Sequence, residues 1–215
     1  MTSSTSTPAR TGGRVLVDQL PIHGTERIFC VPGESFLDVL DALHDQPAID
    51  LVVCKHEGAA ANMAEADGKL TGRPGICFVT RGPGATHASI GVHIAQQDST
   101  PMILFVGQIA REHKGREAFQ EVDYAAVFGS MTMWAAEIDD PARIPEMVAR
   151  AFHVATSGRP GPVVLALPED VLDGLVECVD AAPYRAVAAA PRAEDANELA
   201  AALAAAKRPL VIAGG

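Results

Sequence analysis

Apolar residues fall along this chain in two alternating textures. Short continuous runs recur at Ile28–Val31, Leu51–Cys54, Ile76–Val79, Met102–Val106 and Val163–Leu167. They do not alternate with polar residues as a strand with one wet face would, so they predict central strands of a parallel sheet. Between them lie amphipathic segments of helical period: Val15–Leu20, Phe36–Leu43, Ala59–Leu70, Ala85–Gln96 and Ile144–Ala155. In the last of these, Val148, Phe152 and Ala155 share one stripe. Pro21 and Pro145 are expected to bound or trim their helices, because proline lacks the donor a helix interior needs. The alternation predicts an α/β fold, a doubly wound, mostly parallel sheet with helices on both faces.

The texture changes after Asp180. The stretch "AAPYRAVAAAPRAEDA" is rich in alanine and proline and has no strand or helix period, which marks a linker. A helical segment, "EDANELAAALAAAKR", then runs into "PLVIAGG", which reads as a strand and its glycine turn. The expected organisation is a disordered tail over 1–13, one domain over 14–182, a linker over 183–193, and the start of a second α/β domain over 194–215.

Composition narrows the partners. With 215 residues, 48% of them hydrophobic, the chain can bury a sizeable core. A net charge of -10 offers no basic stripe for phosphate neutralisation, so nucleic acid is not an expected partner. No apolar run approaches the ~18 residues of a membrane span, and the start, "MTSSTSTPARTGG", has no apolar signal core. Cys30, Cys54 and Cys77 sit in apolar runs and read as reduced core residues. A cytoplasmic protein is expected.

Two glycine turns follow strands, "VPGES" at Val31–Ser35 and "TRGPGATHASIG" at Thr80–Gly91. Loops at the carboxyl ends of parallel strands line ligand crevices, though such turns also serve as plain connections. The second turn is no dinucleotide fingerprint, since His87 stands where a third glycine would be needed, and there is no Walker-type loop. Glu57, in "CKHEGAAANMAEADGKLTG", sits at a strand exit and helix start, where helix amides favour negative charge. A glutamate there can simply support its own helix. His56 beside Cys54 is not a metal site, because no second ligand pair accompanies it and strand alternation would turn both to one packed face. No protein metal ligand is expected.

The stretches "VPGES", "KHEGAAANMAEADGKLTGRPG", "VTRGPGATHASIG", "STPMILFVGQ", "EAFQEVD" and "SGRPGPVVLALPEDV" occur in this order over about residues 14 to 182. Together they resemble the N-terminal, pyrimidine-binding domain of thiamine diphosphate-dependent enzymes, closest to the acetolactate synthase-like group. The resemblance implies that Glu57 contacts a ring nitrogen of the cofactor's aminopyrimidine. A carboxyl there favours the imino tautomer, whose exocyclic nitrogen can deprotonate the thiazolium carbon that then adds to a ketone carbonyl. It also implies that Pro32, Gly33, Thr80, Pro83 and Gly84 surround the pyrimidine and that Gln108 lies near the thiazolium. Phe119 and Gln120 are implied to face substrate, with core packing of Phe119 and a solvated helix position for Gln120 as the alternatives. Asparagine is common in the family where His87 stands, so His87 is a cofactor-site residue whose role the resemblance does not define.

Such enzymes hold the diphosphate through magnesium on a separate domain bearing "GDG", and this chain has no such stretch. The implied protein is therefore the N-terminal portion of a 2-oxo acid decarboxylase or carboligase. It would pair, as a homo-oligomer, with a second subunit or a C-terminal half carrying the Mg2+-diphosphate domain. On that implication the chain alone is inactive. A non-catalytic ligand-binding or interaction module on the same fold is the competing reading. A nucleotide-binding oxidoreductase domain fits the sheet but lacks the fingerprint.

Overall fold

The computed structural model of the chain describes residues 8–212. In chain order it contains β1 (Arg10–Thr11), α1 (Gly12–Ile22), β2 (Arg27–Cys30), α2 (Leu37–His44), β3 (Asp50–Val53), α3 (Glu57–Thr71), β4 (Gly75–Val79) and α4 (Pro83–Asp98). These are followed by β5 (Met102–Gln108), α5 (Tyr124–Phe128), β6 (Trp134–Glu137), α6 (Ile144–Thr156), β7 (Pro162–Pro168), α7 (Glu169–Asp173), β8 (Leu175–Val176) and α8 (Ala193–Ala205). The central sheet has six strands in the order β3-β2-β4-β5-β7-β6, and every neighbouring pair is parallel. β1 and β8 form a separate antiparallel pair.

The continuous apolar runs become the interior of this sheet. All residues of β4, β5 and β7 are buried, as expected for strands covered on both faces. Successive residues face opposite ways. Ile76 and Phe78 of β4 pack with α1, α2 and α6, whereas Cys77 and Val79 pack with α3 and α4. The expected helical segments form α1, α2, α3, α4 and α6. Pro145 lies in the first turn of α6, where no intrahelical acceptor awaits its missing donor, and Pro21 lies in the last turn of α1, which ends one residue later at Ile22. Among the described residues no helix is long and apolar enough to cross a membrane.

Several expectations need correction. Residues 10–13, assigned to the tail, are ordered: Arg10 pairs with Asp18 and Asp180, each at 2.7 Å, and Thr11 caps α1 by accepting the Arg14 amide. Residues 1–7 of that tail lie outside the described residues. β6 is a partly exposed edge strand of sequence WAAE, too short and too poor in β-branched residues to show a strand pattern. Cys30 and Cys77 are buried and free, and burial pushes the Cys30 thiol up to about 12. Cys54, in contrast, is only half-buried, because it sits past the end of the edge strand β3.

The linker region begins tied to the sheet domain. The Gln19 side chain donates to Asp180 at 2.7 Å and accepts the Ala181 amide at 3.0 Å. Tyr184 donates its amide to His23 Nδ1 at 3.2 Å, and both rings pack near Phe152. Burial lowers the pKa of His23, consistent with a neutral ring that accepts at Nδ1. Further on, α8 has no buried residue. The strand expected over Pro209–Gly215 is not formed at residues 209–212, where no partner strand is offered, and residues 213–215 lie outside the described residues.

Candidate functional site

Because the strands are parallel, their carboxyl ends and following loops share one edge of the sheet. The loop after β2 brings Pro32 and Gly33, the exit of β3 brings His56 and Glu57, and the loop after β4 brings Thr80 to Gly84. Thr80 links the two glycine turns, with its Oγ1 2.8 Å from Ser35 Oγ. Gly82 adopts φ +54° and ψ -109°, a conformation that only glycine reaches without strain. Its amide donates to the buried Tyr124 hydroxyl at 2.7 Å. Pro83 then opens α4, where its missing N–H is not needed.

Glu57 is the first residue of α3, and its side chain is 15% exposed. Its Oε2 lies 3.0 Å from Nδ1 of His87 on α4. Oε1 faces Gly84, where an added Cβ would stand 3.5 Å from it and 3.0 Å from Thr80 Cγ2. A Cβ on Gly33 would come 2.5 Å from Thr80 Cβ. Gly33 thus packs its backbone tightly on Thr80, while Gly84 puts no side chain beside Oε1, a small cradle at one carboxyl oxygen. The residues present fit a pyrimidine there.

The structure thus gathers Gly33, Thr80, Gly84, Glu57 and His87. Pro32 and Pro83 are exposed on the rims of the two turns. Gln108 stands apart from this group. Its amide donates to the Val122 carbonyl at 2.8 Å while its carbonyl oxygen accepts the Ile109 amide at 2.9 Å. It lines a neighbouring cleft of about 300 Å³ with Lys114, Glu137 and Tyr124. Phe119 is 73% exposed, which rules out core packing. Gln120 lies in a loop rather than a helix, at φ +64°, with its backbone and Cβ against Gly82.

His56 also departs from expectation. It is exposed and caps α3, with Nδ1 accepting the Gly58 amide at 3.0 Å. The reason is geometric: β3 ends at Val53, so strand alternation no longer applies at residue 56. Its ring stacks on His87 with centroids 5.0 Å apart. Among the described residues no group of three or more His, Cys, Asp or Glu side chains is placed to hold a metal ion. Arg111 and Lys114 are each paired, with Asp170 at 2.7 Å and Glu137 at 2.8 Å.

Sequence reasoning missed Arg81. Its buried guanidinium donates to Glu34 at 2.7 Å and Glu169 at 3.2 Å, joining the loops after β2, β4 and β7. The available signal was that all three residues follow apolar runs, and so belong to the same edge.

Comparison with known proteins bears on the family. Residues 10–127 match the family described as "Thiamine pyrophosphate enzyme, N-terminal TPP binding domain". The acetolactate synthase isozyme 3 large subunit of Escherichia coli is 36% identical over 211 residues, covering 95% of this chain and 37% of that protein. The mitochondrial acetolactate synthase of Schizosaccharomyces pombe is 40% identical over 162 residues, 75% of this chain and 24% of that protein. The acetolactate synthase of Bacillus subtilis is 36% identical over 207 residues, 94% and 36% respectively. The chain spans between about a quarter and somewhat over a third of these relatives' lengths. With glycine turns and a carboxylate on the carboxyl edge of a parallel sheet, the chain belongs to the thiamine pyrophosphate-dependent, acetolactate synthase-like enzymes, as their N-terminal pyrimidine-binding domain.

Proposed function

We propose that this chain is the N-terminal portion of a 2-oxo acid decarboxylase or carboligase of acetolactate synthase type, with Glu57 as its catalytic carboxyl group. The observation that carries the reading is the division of the Glu57 oxygens. One is held by His87, and the other faces Gly84, which sets no side chain against it. Bound thiamine diphosphate would supply a thiazolium carbon that acts as nucleophile toward the substrate's ketone.

Glu57 would hydrogen-bond the pyrimidine ring through Oε1 and hold or release a proton at that atom. Thr80, Gly33 and Gly84 would shape the walls around the ring, and Pro32 and Pro83 would stiffen the rims. Arg81 keeps the three loops in register through Glu34 and Glu169, so the cradle needs little reorganisation on binding. Gln108, Phe119 and Gln120 would flank the thiazolium and substrate side. Magnesium and the diphosphate would be held by a further domain bearing the "GDG" pattern, on a partner subunit or a C-terminal half. The working enzyme would then be a cytoplasmic homo-oligomer.

The test is Glu57→Gln in the protein that includes the diphosphate-binding domain. Turnover should fall by roughly 10²–10⁴, the usual size of a general acid–base contribution, while cofactor still binds. Near-normal turnover would remove Glu57 from the mechanism. Calorimetry of the 215-residue chain with thiamine diphosphate and Mg2+ should give weak or no binding, since the anionic groups lack partners here.

A further inference from the structure

The contact between Glu57 and His87 joins residues 30 apart on two different helices, and it depends on a proton. A carboxylate can only accept, so a 3.0 Å approach of Oε2 to the imidazole requires the hydrogen on His87 Nδ1. That leaves Nε2 as the unprotonated nitrogen whenever the ring is neutral. The partner ring has the opposite assignment: His56 Nδ1 accepts the Gly58 amide at 3.0 Å, so a neutral His56 carries its hydrogen on Nε2.

The two rings lie 5.0 Å apart at an interplanar angle of 21°, so the His56 plane, pinned by the helix amide, fixes the plane of His87. Both histidines are exposed at the surface, yet each is held by a directed contact. A glutamate at a helix start has three freely turning side-chain bonds. Without a second anchor it would spend part of its time with either oxygen, or neither, facing the Gly84 space.

We propose that His87 is a positioning residue for Glu57. It takes up Oε2 through Nδ1–H, is itself held flat by His56, and so presents Oε1 alone to the pyrimidine. This rests on the reading of Glu57 under Proposed function. His87 does not touch the reacting atoms; it acts through the carboxyl group it orients.

Two measurements test this, and they fail separately. In the 215-residue chain, nitrogen-15 NMR of the histidine rings should show His87 protonated at Nδ1 and His56 at Nε2, with the His87 pattern changing in Glu57→Gln. A His87 ring protonated at Nε2 and indifferent to Glu57→Gln overturns the proposal, whatever Glu57 does in catalysis. In the protein completed by its diphosphate-binding domain, His87→Ala should lower kcat roughly tenfold, the low end for a hydrogen bond to a charged group, with little change in the KM for the 2-oxo acid. His87→Asn places an amide N–H near the Nδ1 position and should restore kcat to within about threefold, because the same oxygen is again occupied. Wild-type kcat in His87→Ala, or no rescue by His87→Asn, overturns the positioning role. Normal turnover in Glu57→Gln overturns it along with the functional reading, and the NMR result then describes a contact of no catalytic consequence.

Discussion

The two faces of the central sheet are packed by different means. Against α1, α2 and α6 the filling is large: Leu16, Leu20, Phe36, Phe78, Phe105 and Phe152 are all buried there. Against α3 and α4 it is dominated by small residues, with Ala60, Ala61, Ala64, Ala85, Ala88 and Ala95 fully buried. Large side chains hold helices away from a sheet and from each other; alanine and glycine let backbones come close. At Gly91 of α4 an added Cβ would stand 2.6 Å from both the Ala61 carbonyl carbon and the Ala61 Cβ of α3. That close approach brings the N-terminal parts of the two helices together, and hence Glu57 to His87. One face supplies bulk to the core, and the other supplies proximity to the site.

The contrast can be broken from either side. Phe152→Ala should cost the most, about 3–5 kcal/mol for emptying a fully buried aromatic position, read by urea unfolding. Because it lies on the opposite face, the His87 ring resonances should stay as in the parent. Gly91→Ala should cost about 1–3 kcal/mol from overpacking, yet it should shift the His87 and His56 resonances by prying α3 from α4. If Phe152→Ala disturbs the histidine pair and Gly91→Ala leaves it alone, the division of labour between the faces is wrong.

The smallest effect belongs to His23 on the large-residue face, whose pKa burial lowers from 6.5. The unfolded chain takes up a proton near that value and the folded chain only at lower pH. The contribution to stability is therefore complete above about pH 6.5 and is lost as pH falls through the folded value, by at most about 1.4 kcal/mol per pH unit. Unfolding curves between pH 7 and 5 should show this slope, and His23→Gln should flatten it.

The same contrast explains what could be read from sequence. The central strands were legible because β4, β5 and β7 are buried on both sides and so are uninterrupted apolar runs. β6 was not, since its half-buried WAAE gives no period. Glu57 and the glycine turns stood out as chemistry at strand exits, whereas the bond to His87 depends on how closely two helices pack, which no local pattern records. His56 was misjudged by extending strand alternation past the strand's end. The exposure of Phe119 was likewise invisible, because an aromatic residue in a polar loop has the same local signature whether it folds inward or outward.

The Tyr124 phenol that accepts the Gly82 amide carries a consequence for the segment preceding it. Burial raises its pKa, so it stays uncharged and remains a neutral acceptor across the working range. Phe119 and Gln120 lie just upstream on the same stretch of chain, with Gln120 resting on Gly82 itself. A displacement that withdrew the phenol would strand a main-chain donor in the interior at about 1–3 kcal/mol. The glycine turn and the loop outside it thus share one buried contact, and a shift in either is felt by the other.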